Sequence, residues 1–262
     1  MNLNDEIVVN ESKGIEYIQF KRLLKEGIKH AYTLKGADLN FRTNSVEEKD
    51  SYRRVYDALG LDIGTLVKPL QTHTGNVKCI DRVFARGELQ SIDGLITDKS
   101  GITLTSTNAD CILLLFYDPK KKVIANIHSG WKGTFQKISE KTVEKMKRNY
   151  RCNPEDIECY ICPSIRKCHF EVDEDVKDLC EEIFGFIPEK EKFIIVGDVK
   201  DGKQKYYIDT VYITKYLLRE AGLKEENIID SELCSVCNND KINSFRAEGK
   251  GYKLSTAVIT LD

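Results

Sequence analysis

Histidine is scarce in this sequence: four in 262 residues, beside one tryptophan, two methionines and five prolines. Four imidazoles can furnish one transition-metal centre but not the several that multicopper oxidation requires, so that chemistry is not expected. An excess of charge of one sign is also missing. Lys and Arg number 40 against 42 Asp and Glu, a formal net charge of −2, and no overall field draws the chain to nucleic acid or to an anionic membrane. No apolar run approaches the ~20 residues of a membrane span; the longest, Cys111 to Tyr117, is far shorter. The opening stretch MNLNDEIVVNESKG holds acids and no apolar signal core, so a cytoplasmic location is the expectation. Together these absences favour a small, locally recognised ligand.

What is present is a globular composition, 41% hydrophobic and 31% charged, with nine cysteines. An odd number of thiols in a chain too long to need stapling reads as reduced cysteine rather than a disulfide framework. Ser45-Val46-Glu47-Glu48 has capping-box spacing, and Tyr52, Val55, Tyr56 and Leu59 follow at helical spacing up to Gly60, which predicts a helix over 46–59. Further helices are expected from Thr134 through Tyr150, over 173–184, and from Asp209 to Ala221 before Gly222. Segments rich in β-branched residues at 65–69, 76–84, 92–97, 101–107, 157–162, 192–197, 205–208 and 252–260 read as strands. Uneven alternation of helix and strand, with no repeat or linker, predicts one α+β layered domain over 1–262 rather than a doubly wound parallel sheet.

The stretch NADCILLLFYDPKKKVIANIHSGWKG carries the chemistry. Segments 111–117 and 123–128 flank Asp118-Pro119-Lys120-Lys121-Lys122 and read as an antiparallel hairpin. A loop centred between Pro119 and Lys120 would oppose Cys111 directly to His128 on one face, whereas a slip of one residue would separate them. Cys111 alone is as readily a small core hydrophobe. A third candidate, His73, sits in the polar turn Gln71-Thr72-His73-Thr74-Gly75. Two histidines and a thiolate suit Zn²⁺ and leave a fourth tetrahedral position for water or substrate. Gly130 and Gly133 flank Trp131-Lys132 where a strand hands over to a helix; such a turn is suited to an anion, or is simply a tight turn with Trp131 over the core.

Seven blocks in order carry a family resemblance. They are Leu39-Asn40, Gln71-Thr72-His73, Asp93-Gly94-Leu95-Ile96-Thr97, Thr107-Asn108-Ala109-Asp110-Cys111 and His128-Ser129-Gly130-Trp131-Lys132-Gly133. Cys162-Pro163-Ser164-Ile165 with Cys168-His169-Phe170-Glu171-Val172, and Ser244-Phe245-Arg246, complete the series. Over nearly its whole length the chain resembles the laccase-domain family, once labelled multicopper polyphenol oxidases and now associated with purine nucleoside phosphorylase and adenosine deaminase activity. The resemblance implies an α-β-β-α sandwich related to folds that host Cys-His hydrolases. It also implies a zinc site at His73, Cys111 and His128, with copper as the secondary metal. Adenosine, inosine, guanosine or methylthioadenosine-type nucleosides become the expected substrates, and phosphate the co-substrate. Asp110 is then a candidate proton carrier, provided the strand breaks beside Cys111. Gly130, Lys132, Gly133 and Arg246 are candidate substrate contacts, although Lys132 stands where the family commonly has Arg and offers a point charge instead of a fork.

Two other readings use the same residues differently. A metal-free hydrolase or deamidase would take Cys111 as nucleophile and His128 as base. A binding module would join Cys159 and Cys162 to Cys234 and Cys237, two C-x₂-C pairs, in a structural zinc site. Cys168 and His169, if in a strand, would point to opposite faces. His30, in a basic amphipathic segment, reads as surface, and Phe193, Tyr206 and Tyr207 read as core.

Overall fold

Residues 1–42, 45–85 and 87–261 are described by the structure, a computed structural model. Its apolar runs pair into two six-stranded sheets and one of three strands. The first sheet runs Ile7–Ser12, Ile15–Phe20, Lys29–Thr33, Ser255–Thr260, Thr103–Asn108 and Leu66–Val67. The second runs Ile228–Asp230, Glu158–Ile161, Ile112–Asp118, Val123–Ser129, Gly94–Thr97 and Val77–Cys79. Side-chain alternation then builds the layers. Ile18, Tyr32, Leu104, Leu113, Leu115, Tyr117 and Ile259 meet between the two sheets. The far face of the second sheet, with Ile112, Leu114, Phe116 and Ile127, packs on Val143 and Met146 of helix Ile138–Tyr150 and on Val211 and Leu218 of helix Thr210–Glu220. Tyr17, Ala31 and Val258 on the far face of the first sheet meet Tyr52, Val55 and Tyr56 of helix Glu48–Leu59. The result is the α-β-β-α layering expected. Strand Ile112–Asp118 is buried on both faces, which is why it reads as an unbroken apolar run. Each large apolar side chain so buried contributes about 1.5–3 kcal/mol.

Several local expectations change. The capping box does not form: the Glu47 cap has no side-chain bond, and Glu48 turns inward to pair with Lys68. The helix expected from Thr134 is two, Trp131–Phe135 and Ile138–Tyr150, broken where Lys137 adopts φ +56°. His30 is buried in an interior strand of the first sheet, where its Nε2 accepts from the Phe20 N–H at 2.7 Å and its Nδ1 lies 2.9 Å from the Ile28 carbonyl oxygen. The hairpin register is shifted by two. Leu113, not Cys111, opposes His128, and Asp118 pairs with Val123. Asp118 keeps its place in the ladder because its Oδ1 accepts from the Lys120 and Lys121 amides, both at 2.9 Å, moving the centre of the loop one residue on. An even shift preserves the face.

Candidate metal centre and its cleft

Asp93 organises the centre. It begins the turn into strand Gly94–Thr97 and is fully buried. One carboxylate oxygen accepts from the His73 amide at 3.0 Å and lies 2.8 Å from His128 Nδ1; the other accepts from the Thr74 amide at 2.8 Å and the Thr74 hydroxyl at 2.7 Å. Burial alone would raise this carboxyl, but the bonds from His128 and Thr74 outweigh it and hold the pKa at about 2. The same carboxylate therefore fixes the turn that bears His73, whose backbone sits at φ +62°, and orients the ring of His128.

His73 Nε2 lies 3.8 Å from Cys111 Sγ, and the two imidazoles meet edge to face with centroids 4.9 Å apart. One donor atom from each of His73, Cys111 and His128 falls within 4.8 Å of the others. Bond lengths of about 2.3 Å to sulfur and about 2.0 Å to nitrogen place tetrahedral ligands roughly 3.6 Å apart, so the separation suits one zinc-sized ion. Burial pushes the Cys111 thiol up, but His128 and His73 outweigh it and hold it below the ordinary cysteine value. Burial likewise pushes His128 down, while Cys111 and Asp93 hold it above the ordinary imidazole value.

Cys111 lies just outside the ladder because the chain breaks after Asn108: Asp110 adopts φ +84° and strand pairing resumes at Ile112. Asn108 Nδ2 donates to the Cys111 carbonyl at 2.5 Å and to that of Pro163 at 3.1 Å, fixing the bend. Both oxygens of Asp110 are engaged, one accepting from Ser235 at 2.6 Å and Ser244 at 2.7 Å, the other from the Arg246 amide at 2.7 Å. Gly130 packs directly on the centre. A Cβ there would come 2.7 Å from His73 Cδ2 and 3.1 Å from Cys111 Sγ, so the glycine is needed for close approach.

A cleft of about 610 Å³ opens over the three donors, its lining including Trp131, Phe170, Phe245 and Tyr252 together with the cationic Arg42, Lys68 and Arg246. The volume suits a small ligand of nucleoside size. Arg246 reaches it while donating to the carbonyls of His169 at 2.7 Å and Glu171 at 3.0 Å. Gly130, Lys132 and Gly133 are not among the lining residues; Lys132 instead lies over the Trp131 ring at 5.5 Å. Asp93 and the aromatic wall were given no role in the site from sequence. An acid directly ahead of the apolar Gly94-Leu95-Ile96 was the available signal for the first.

Residues 30–261 match the family model described as multi-copper polyphenol oxidoreductase laccase. A purine nucleoside phosphorylase of Clostridium acetobutylicum is 33% identical over 217 residues, covering 81% of this chain and 83% of that protein. Adenosine deaminase RL5, from an unknown prokaryotic organism, is 30% identical over 76% of this chain and 79% of its own length. Mouse purine nucleoside phosphorylase LACC1 is 29% identical over 84% of this chain, which spans about half, 49%, of the mouse protein. In three dimensions the Bacillus licheniformis hypothetical protein YfiH superposes with a TM-score of 0.85 at 23% identity, covering 99% of this chain and 100% of that one.

Proposed function

The chain belongs to the multi-copper polyphenol oxidoreductase laccase family, and from that membership we propose that it is a zinc-dependent enzyme of purine nucleosides, cleaving them with phosphate and deaminating adenosine. The observation that carries this reading is the convergence of His73, Cys111 and His128 at the floor of an aromatic-walled cleft. Two imidazole nitrogens and a thiolate are a donor set for Zn²⁺ with one position left open. Bound there, zinc would supply Lewis acidity and an activated water at neutral pH.

The chain's own residues do the rest. Asp93 keeps the proton of His128 on Nδ1 and leaves Nε2 as the donor. Trp131, Phe170, Phe245 and Tyr252 offer faces and edges for a purine. Arg42, Arg246 and Lys68, the last paired with Glu48, are the cationic lining residues that phosphate would meet. Asp110, with both oxygens occupied, serves better as the post that holds the Cys111 bend to Ser235, Ser244 and Arg246 than as a proton carrier. The names of the phosphorylase and deaminase relatives support the same substrate class. Copper in the same three donors is the alternative metal. The test is incubation of metal-characterised protein with adenosine, inosine, guanosine and methylthioadenosine, with and without phosphate, with products identified by mass. Free base and ribose-1-phosphate only with phosphate, and inosine from adenosine without it, are expected; no conversion by zinc-replete chain would overturn the reading.

A metal-free Cys-His hydrolase has one observation in its favour, the Cys111, His128 and Asp93 order with the imidazole between thiol and carboxylate. Full turnover by zinc-free protein, abolished by alkylation of Cys111, would select it.

A further inference from the structure

Cys168, His169, Cys234 and Cys237 stand outside the lining of the cleft. The pairing with Cys159 and Cys162 expected from the two C-x₂-C motifs does not occur. Those two are fully buried at strand Glu158–Ile161, inside the apolar layers. Cys168 and His169 lie in a turn and not in a strand, so their side chains are free of strand alternation, and both face the turn of Cys234 and Cys237.

Cys168 Sγ is 3.6 Å from Cys234 Sγ and 3.8 Å from Cys237 Sγ. His169 Nδ1 stands 3.2, 3.6 and 3.5 Å from the sulfurs of Cys168, Cys234 and Cys237. All four donors fall within 4.8 Å of one another. A regular tetrahedron with zinc bond lengths has edges of about 3.8 Å between sulfurs and roughly 3.6 Å from sulfur to nitrogen. A disulfide would instead bring two sulfurs to about 2.05 Å, and Cys168, Cys234 and Cys237 are all free thiols. The cluster is shallow: Cys234 is buried, His169 half-buried, and Cys168 and Cys237 exposed.

We propose that Cys168, His169, Cys234 and Cys237 form a second metal site, closed by four protein donors and taking one tetrahedral Zn²⁺. Such a site has no open position and serves structure. It joins two segments that touch the cleft. Ser164 and Cys234 form an isolated bridge, Ile165 and Phe170 line the cleft, and Ser235, between the two cysteines of the knuckle, donates to Asp110 beside Cys111. The Arg246 guanidinium grips the carbonyl of His169 itself. The ion would therefore brace the cleft wall from outside.

The test counts metal on the full chain and reads its ligands with Co²⁺, whose thiolate charge-transfer absorption grows with the number of sulfurs bound. The wild-type chain should hold two ions. Cys111→Ser with His73→Ala should keep one, with the strong absorption of three thiolates. Cys168→Ser with Cys237→Ser should also keep one, with the weak absorption of a single thiolate, and fold as judged by circular dichroism. The first double variant leaves the second site untouched, so the outcome does not depend on the folding of the other. A Cys111→Ser, His73→Ala chain that binds no Co²⁺, a Cys168→Ser, Cys237→Ser chain that keeps both ions, or a disulfide among these thiols in the protein as isolated would each overturn the proposal, whether or not the nucleoside reaction is found.

Discussion

The two His/Cys groups differ in almost everything except their donors. At His73, Cys111 and His128 there are three donors, a buried carboxylate behind one imidazole, and a cleft in front. At Cys168, His169, Cys234 and Cys237 there are four donors on two turns, none of them lining that cleft. Open coordination with an orienting partner fits catalysis, and a saturated thiolate-rich shell fits structure. Ligand count and surroundings, more than ligand identity, separate the two. The contrast can be broken by asking which region governs activity, which governs stability, and whether they communicate.

The largest effect should come from the single thiolate of the open site. Cys111→Ser should cut nucleoside turnover by more than about 100-fold, beyond what loss of an outer partner costs, and should remove one metal equivalent. Cys237→Ser should remove the other equivalent and leave substantial turnover. If both variants lose activity equally at equal folded fraction, the division into catalytic and structural sites is wrong.

Acid sharpens the contrast, because low pH releases metal from either group and must be separated from acid effects on the fold. His30 is the control. Burial, only partly offset by the bond to the Ile28 carbonyl, lowers its pKa from 6.5 to about 4, and its Nε2 faces an N–H donor. The folded state thus favours the neutral ring. Its contribution is complete above pH 6.5, falls as the unfolded chain takes up the proton, and is lost by about pH 4. The gap corresponds to about 3 kcal/mol. Denaturant midpoints of metal-free chain between pH 7 and 4 should fall with acid, and His30→Gln should flatten the slope. An unchanged slope assigns the acid sensitivity elsewhere.

How much of this was legible in sequence follows the range of the interactions. The α+β class was, because buried strands and amphipathic helices leave apolar periodicities, while the α-β-β-α order came with the family resemblance. The triad was nameable because Cys111 and His128 share a hairpin and the register error was even; His73 was a candidate from its polar turn, and the family blocks tied it to the other two. Asp93 was missed since its role depends on a turn and a strand brought together by the sheet. His30 was misplaced because flanking lysines said surface while the pairing of its strand with Ser255–Thr260 put it inside. Half of the second cluster was visible as Cys234-x₂-Cys237, but its partners are set by a turn that strand alternation could not describe.

Asp93→Asn tests the partner that only the open site has. The amide keeps one acceptor oxygen for the 72–74 turn while its NH2 replaces the other, and the charge that holds the His128 tautomer is gone. A fall of roughly 10–100-fold in metal affinity or activity is expected, with the second ion retained. A chain that keeps zinc at the open site with unchanged affinity would mean that His73 and Cys111 suffice.

The smallest effects concern the cationic side. Arg246 lines the cleft and also ties the carbonyls of His169 and Glu171, so its side chain links the two regions. Arg246→Ala removes both ties but keeps the backbone bond to Asp110. Loss of bonds from an exposed charged group should cost about 1 kcal/mol, seen as a roughly five-fold rise in KM for phosphate and faster loss of the second ion to a chelator, at full occupancy of the first. Lys132→Ala, whose side chain lies over Trp131 outside the cleft lining, should change either quantity by less than about two-fold, the scale of a surface substitution. A phosphate effect at Lys132 as large as at Arg246 would return the anion contact to the Gly130–Gly133 turn. A phosphate effect at Arg246 with unaltered chelator kinetics would make it a ligand contact alone, and the two regions independent.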